Sequence, residues 1–151
     1  MSTSSKTPPK APTQTLGAVL FVCTLNSIRS PMAEGLMKDL IGTDVYVQSC
    51  GLEAGELSEL MVTVMREKGI DMSGHTSKTL NDLRDTSFDV VIAFTHDAAS
   101  AVQAVFDDSD TDIETWLTPD PTAGDLNVRA MMDNYRAVRD TISMRILRKF
   151  G

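Results

Sequence analysis

Aromatic residues make up only 5% of the 151-residue chain, and there are just two cysteines and two histidines. Lysine plus arginine (14) fall short of aspartate plus glutamate (21), leaving a net charge of −7. Each shortage excludes a class. The negative balance excludes a broad nucleic-acid surface, which needs basic side chains against the phosphates, and it offers no attraction to anionic lipid. No apolar run approaches the ~18 residues of a membrane span. Two cysteines are too few for the disulfide framework of a small secreted domain. His75, His96 and the cysteines show no metal-ligand spacing, so no metal and no organic cofactor is expected. No glycine run has nucleotide-loop spacing, "GLEAG" included, and no segment repeats.

What remains is an aliphatic chain with nine methionines, long enough for one domain with its own core. Residues 1–15, "MSTSSKTPPKAPTQT", are polar and proline-rich, without the apolar stretch of a signal peptide, and read as a disordered tail. The expected compartment is the cytoplasm, with its reducing conditions.

From residue 16 to 151 strands and helices alternate. "AVLFVC" (Ala18 to Cys23) is a buried strand; a helix follows from about Pro31 to Ile41, with proline suited to its first position and Gly42 as its stop. "DVYVQS" is a second strand that ends in a turn at Ser49, Cys50 and Gly51. Ser58 to Lys68 is a helix with Leu60, Met61, Val64 and Met65 on one face. "FDVVIAF" is the third strand, and Thr95 caps a helix through Phe106. The acidic run at Asp107, Asp108, Asp110 and Asp112 is a solvated turn before "IETWL", and "TPDPTAGD" is a loop. The last helix, Val128 to Lys149, buries Met131, Tyr135, Val138, Ile142 and Ile146, with its arginines mostly elsewhere; His75 falls in a surface loop. This alternation predicts an α/β fold: one three-layer domain, a four-stranded parallel sheet with helices on both faces. Chemistry in such sheets collects at the carboxyl ends of strands, where Cys23, Ser49 and Asp120 all fall.

The stretch "CTLNSIRSP" holds the chemistry. A loop between a strand end and a helix start turns N–H groups inward, and the helix dipole adds partial positive charge. That is a nest for a tetrahedral oxyanion. Arg29 brings a planar fork able to hold two oxygens. Cys23 lies at the floor, where positive surroundings favour the thiolate, the nucleophilic form. Ser30 can donate to the sulfur. The alternative, a buried core cysteine with an unrelated surface arginine, leaves the polar loop unexplained.

"FVCTLNSIRSPMAEG" resembles the phosphate-binding loop of the low-molecular-weight protein tyrosine phosphatases and of their relatives, the thioredoxin-linked arsenate reductases. "QSCGLEAG", "KGIDMSGHTSKTL", "PDPT" and "YRAVRDTISMRI" are similar to further segments of that family in the same order, from Leu16 onward. The resemblance implies a phosphomonoester hydrolase of the protein-tyrosine-phosphatase type. Cys23 would form a cysteinyl-phosphate, Arg29 would clamp its oxygens, and Asp120 would be general acid and then base. Thr24, Leu25, Asn26, Ser27, Ile28 and Ser30 would form the loop. Asn26 would hold its strained shape, with Ser49 as partner.

Departures from the family pattern bear on the substrate. Leu25 and Ile28 stand where the phosphatases carry a glycine and a second, protective cysteine. Cys50 is read either as a substitute redox partner for Cys23 or as a small apolar residue. Thr122 and Ala123 follow Pro121, so the aromatic walls around a phosphotyrosine ring are missing. The expected partner is a phosphorylated protein or small phosphomonoester. The first alternative is an arsenate reductase drawing on an external thiol donor, because the loop after the third strand, "FTHDAASAVQAVFDD", has no cysteine. The second is a non-catalytic phosphate or phosphoprotein binder.

Overall fold

Every residue of Ala18–Cys23 (β1) is buried, as an apolar strand covered on both faces must be. In this computed structural model, which describes residues 17–84, 87–106, 110–124 and 126–151, β1 lies inside a four-stranded sheet. The expected tail and the Asp107 and Asp108 part of the acidic run lie outside the described residues. Tyr46–Gly51 (β2) pairs with one side of β1 and Val90–Ala93 (β3) with the other; Asp112–Thr115 (β4) extends the sheet beyond β3. All pairings are parallel and the order is β2-β1-β3-β4. The α/β architecture expected from the alternation is the one observed.

Side chains along β1 alternate between two core layers. Val19, Phe21 and Cys23 pack with helices Arg29–Leu40 (α1), Glu59–Arg66 (α2) and Val128–Phe150 (α4). Leu20 and Val22 face His96–Val105 (α3) on the other side, together with Cys50. The caps match the sequence chemistry: the side chains of Ser58, Thr95 and Asn127 accept from the backbone N–H of Met61, Ala98 and Ala130, each three residues on.

Three local expectations need correction. Helix α1 starts at Arg29, two residues before Pro31, so Arg29 and Ser30 belong to its first turn. Proline is tolerated at the third position because the N–H groups of a first turn have no intrahelical partner. Strand β2 runs through Ser49, Cys50 and Gly51 without a turn there. Pairing persists because the Gly51 amide donates to Lys78 O (2.9 Å) and Gly51 bridges Thr79. Lastly, the α4 stripe of Tyr135, Val138, Ile142 and Ile146 also contains a buried arginine, Arg139.

Arg139 donates to the Val64 carbonyl and to Glu67 (both 2.8 Å), and Arg136 adds a second ion pair with Glu67 (2.8 Å), tying α4 to the end of α2. Hydrogen bonds from Arg136 and then Arg139 hold the Glu67 carboxyl at about 2, against an ordinary 4.5. A depressed carboxyl stabilises the fold above its unfolded value, and the contribution fades as pH falls from about 4.5 through about 2. Wild type is therefore expected to exceed Glu67→Gln in urea resistance at pH 7, with the gap narrowing steadily by pH 2.5. A pH-independent gap in the urea midpoints contradicts this.

Candidate active site

The loop from Cys23 to Arg29 is held by pulling its carbonyls outward. Thr24 O accepts from the amides of Leu52 (2.8 Å) and Glu53 (2.9 Å), Leu25 O from Gly55 (2.8 Å) and Asn26 O from the Ser77 hydroxyl (2.7 Å). In a trans peptide the N–H points opposite to the carbonyl before it, and the described chain has no cis peptide. With those carbonyls engaged outside, the following amides turn into the cup. The Asn26 amide lies 3.3 Å from Cys23 Sγ. This needs Asn26 in the left-handed region (φ 54°), the one non-glycine residue there among those described. Asparagine tolerates that region better than other side chains do.

The Asn26 side chain is the hub beneath the loop. Its Nδ2 donates to Ser30 Oγ (2.9 Å) and Ser49 Oγ (3.0 Å), and its Oδ1 accepts from the Lys78 amide (3.0 Å). Ser30 Oγ lies 2.8 Å from Cys23 Sγ. Ser49, foreseen as the partner of Asn26, is therefore in that place.

His75, Glu34, Ser77 and Lys78 were missed as site residues. His75 is half-buried, but its side chain is only 6% exposed and its Nε2 lies 3.2 Å from Asn26 Oδ1, so the expectation of a surface loop is corrected. Burial outweighs the neighbouring Glu34 and pushes the His75 imidazole below its usual value. His75, Ser77 and Lys78 all lie in "GHTSK", and that segment was the available signal.

Arg29 lines the cup, and its Nη1 donates to Thr118 O (2.9 Å), fixing the segment that leads to Asp120. Cys23, Thr24, Leu25, Ser27, Ile28, Arg29, Asp120 and Thr122 line a cleft of about 390 Å³. The fold thus brings the three candidate catalytic side chains to one opening, and among the described residues no aromatic ring is in its walls. Partial burial pushes the Asp120 carboxyl up, but donation from the Thr122 hydroxyl (2.6 Å) and amide (2.9 Å), together with Arg29, leaves it below its ordinary value. A bound oxyanion pushes it back toward the protonated form.

Cys50 is not brought to the cup. It sits opposite Val22 in register and shares the α3-side core with it, whereas Cys23 belongs to the other layer. Burial, and to a lesser degree Cys23, push its thiol up to about 12. It is a buried thiol, poorly suited to exchange with Cys23. Among the described residues no cluster of three or more His, Cys, Asp or Glu could hold a metal, and no helix is long and apolar enough to cross a membrane.

Together these residues form a strand–loop–helix nest with a cysteine and an arginine, set at the carboxyl end of a parallel sheet, the arrangement of an oxyanion-binding site. The profile of the low molecular weight phosphotyrosine protein phosphatases matches residues 18–149, and the chain belongs to that family. It is 34% identical over 133 residues to the glutaredoxin arsenate reductase of Synechocystis sp., covering 85% of this chain and 92% of that protein. It is 33% identical over 128 residues to the arsenate reductase of Bacillus subtilis, covering 85% and 91%. Among solved structures, an arsenate reductase in the phosphate binding state superposes with a TM-score of 0.73 at 30% identity, over 89% of this chain and 97% of that one. The YwlE arginine phosphatase from Geobacillus stearothermophilus gives 0.73 at 29%, over 87% and 89%. Members of the family are phosphatases or arsenate reductases.

Proposed function

We propose that this chain is an arsenate reductase that takes its electrons from thiols outside the chain. The observation that carries this reading is its likeness, over 85% of its length, to proteins named as arsenate reductases. The cup's chemistry fits a bare tetrahedral oxyanion, and its walls offer no ring stacking. The placement of Cys50 argues that the electrons come from elsewhere.

In this reading the Cys23 thiolate attacks arsenic while Arg29 and the loop amides hold the remaining oxygens. One As–O bond breaks, and that hydroxyl leaves as water by taking the second proton of the dihydrogen arsenate anion. A thiol from solution then attacks Cys23 Sγ. The S–As bonding pair goes to arsenic, which departs as arsenite, and Cys23 is left in a mixed disulfide. A second thiol resolves it. One As(V) becomes As(III) while two thiols become one disulfide.

A second reading is favoured by Asp120: hydrolysis of a phosphomonoester through a cysteinyl-phosphate. Asp120 lies on the cleft wall, where an acid protonates a departing ester oxygen and then activates water. Wild type and Asp120→Asn, assayed side by side, separate the two. Arsenate with glutathione and glutaredoxin, or with dithiothreitol, is read as arsenite released. p-Nitrophenyl phosphate is read as nitrophenol. Hydrolysis is expected to fall by about 10²- to 10⁴-fold in Asp120→Asn, because the departing ester oxygen loses its acid and the attacking water loses its base. Arsenite release is expected to fall less than about tenfold, since a dihydrogen arsenate anion carries both protons of the departing water. Turnover of the ester with no arsenite from any thiol donor overturns the reductase in favour of the phosphatase. Neither product from wild type leaves only a binder.

A further inference from the structure

A second recess, of about 370 Å³, adjoins the cleft that holds Cys23, and the chemistry above does not use it. Phe94 and Thr95, just past β3, form one wall with His96 at the start of α3; Leu117, Thr118 and Pro119 form the other. We propose that this recess is the subsite for the electron donor: it seats a small peptidic thiol of the glutathione class beside the cup, so that the donor sulfur reaches Cys23. The inference rests on the reductase reading and gives the donor its place in it.

Two connections join recess and cup. The Thr24 hydroxyl donates to Thr95 Oγ1 at 3.4 Å, and Thr24 follows Cys23 directly and lines the cleft. Along the opposite wall the chain runs from Thr118 and Pro119 in the recess straight into Asp120 in the cleft. Thr118 fixes this shared wall at three points. Its amide donates to Phe94 O (3.3 Å), its carbonyl accepts from Arg29 (2.9 Å) and its hydroxyl donates to Trp116 O (2.8 Å).

Size and chemistry select the occupant. The volume is that of a small-molecule site. A protein donor needs a contact of about 1,000 Å² or more, which a recess of this size does not supply. Leu117 is 52% exposed, and with Pro119 and the buried Phe94 it offers apolar cover to the methylenes of a tripeptide. Thr95 Oγ1 accepts from the Ala98 amide (3.0 Å) and from Thr24, which leaves its own hydrogen for a peptide carbonyl. The exposed His96 ring can donate to a carboxylate; Asp97 is exposed as well but does not line the recess. Cys50 faces the other core layer, so the second sulfur has to arrive from outside. In the step itself the donor thiol gives its proton to solvent and its sulfur bonds to Cys23 Sγ. The S–As bond breaks with its pair on arsenic. Arsenic gains two electrons and the two sulfurs are oxidised to a disulfide.

The test follows the first turnover on the full chain. Protein is mixed with saturating arsenate and a range of glutathione concentrations and quenched with acid. The arsenate-dependent mixed disulfide on Cys23 is then counted by intact mass. 2-Mercaptoethanol, a thiol without a peptide body, and reduced glutaredoxin are run in parallel as donors. Leu117→Glu is expected to lower the second-order rate with glutathione about fivefold, the scale of one lost apolar contact. The rate with 2-mercaptoethanol is expected to stay within about twofold. Val105→Glu puts the same charge at a comparably exposed position (49%) at the far end of α3, and should leave both rates unchanged. If Leu117→Glu does not fold, His96→Ala decides in its place, with an expected loss of about threefold for glutathione alone, the scale of one hydrogen bond. Equal slowing with glutathione and 2-mercaptoethanol means that the cup itself was disturbed, and overturns the inference. So does an unchanged rate with glutathione, or slowing confined to glutaredoxin, which would make the recess part of a protein interface. Wild type that yields neither mixed disulfide nor arsenite with any donor defeats the reductase reading and the inference with it. Wild-type turnover with an unresponsive variant defeats only the recess.

Discussion

Cys23→Ser is expected to abolish turnover, by at least about 10⁴-fold in kcat, the scale at which covalent enzymes lose activity with their nucleophile. A serine hydroxyl is not ionised at neutral pH and is a far weaker nucleophile than a thiolate. The substitution exchanges one atom at a position 2% exposed and leaves Ser30 and the Asn26 amide as neighbours at 2.8 and 3.3 Å. Folding and oxyanion binding should therefore survive. Calorimetric titration with inorganic phosphate is expected to give a Kd within a few-fold of wild type while product formation disappears. Residual turnover above one hundredth of wild type would mean that the sulfur is not the reacting atom, for arsenate and phosphoester alike.

Gly51→Ala should be nearly as damaging, although Gly51 lies on β2 and is not among the residues that line the cleft. A Cβ at that position would fall 2.6 Å from Asn26 N, 2.6 Å from Glu53 O and 2.8 Å from Leu25 C. All three are backbone atoms of the cup and its support, so no side chain can swing aside. The loop has to move, and the first contact to suffer is that of the Asn26 amide with Cys23. A displacement near 1 Å at a reacting centre costs on the order of 10²-fold in rate, and the overpacking itself about 1–3 kcal/mol. Gly74→Ala is the matched control: nothing lies within 4 Å of its added carbon, and it should leave rate and Tm unchanged. Equal behaviour of the two variants in Tm and turnover would show that the close approach at Gly51 is relieved without cost.

These expectations divide according to where their information resides. The Cys23 prediction needs only the sequence: a strand, a polar loop ending on arginine and a helix are local facts, and so is the oxyanion nest they form. Serine, threonine and asparagine at helix starts likewise announce their caps, because the cap bond closes within three residues. The β2 boundary was legible only in part, since the Lys78 carbonyl and Thr79 that keep Gly51 in the sheet lie nearly thirty residues further on.

Composition, alternation and the Cys23–Arg29 loop were sufficient to determine the layered parallel sheet and the position of the cup at its carboxyl edge. Only the tertiary structure decided that Arg139 is an interior clamp, that His75 and Glu34 stand behind the loop, and that Cys50 faces away from Cys23. Those are contacts between segments distant along the chain. A histidine, an arginine or a cysteine has the same local pattern whether it meets solvent or a buried partner. Its role is set by what packing brings against it, and burial is a property of the folded chain as a whole.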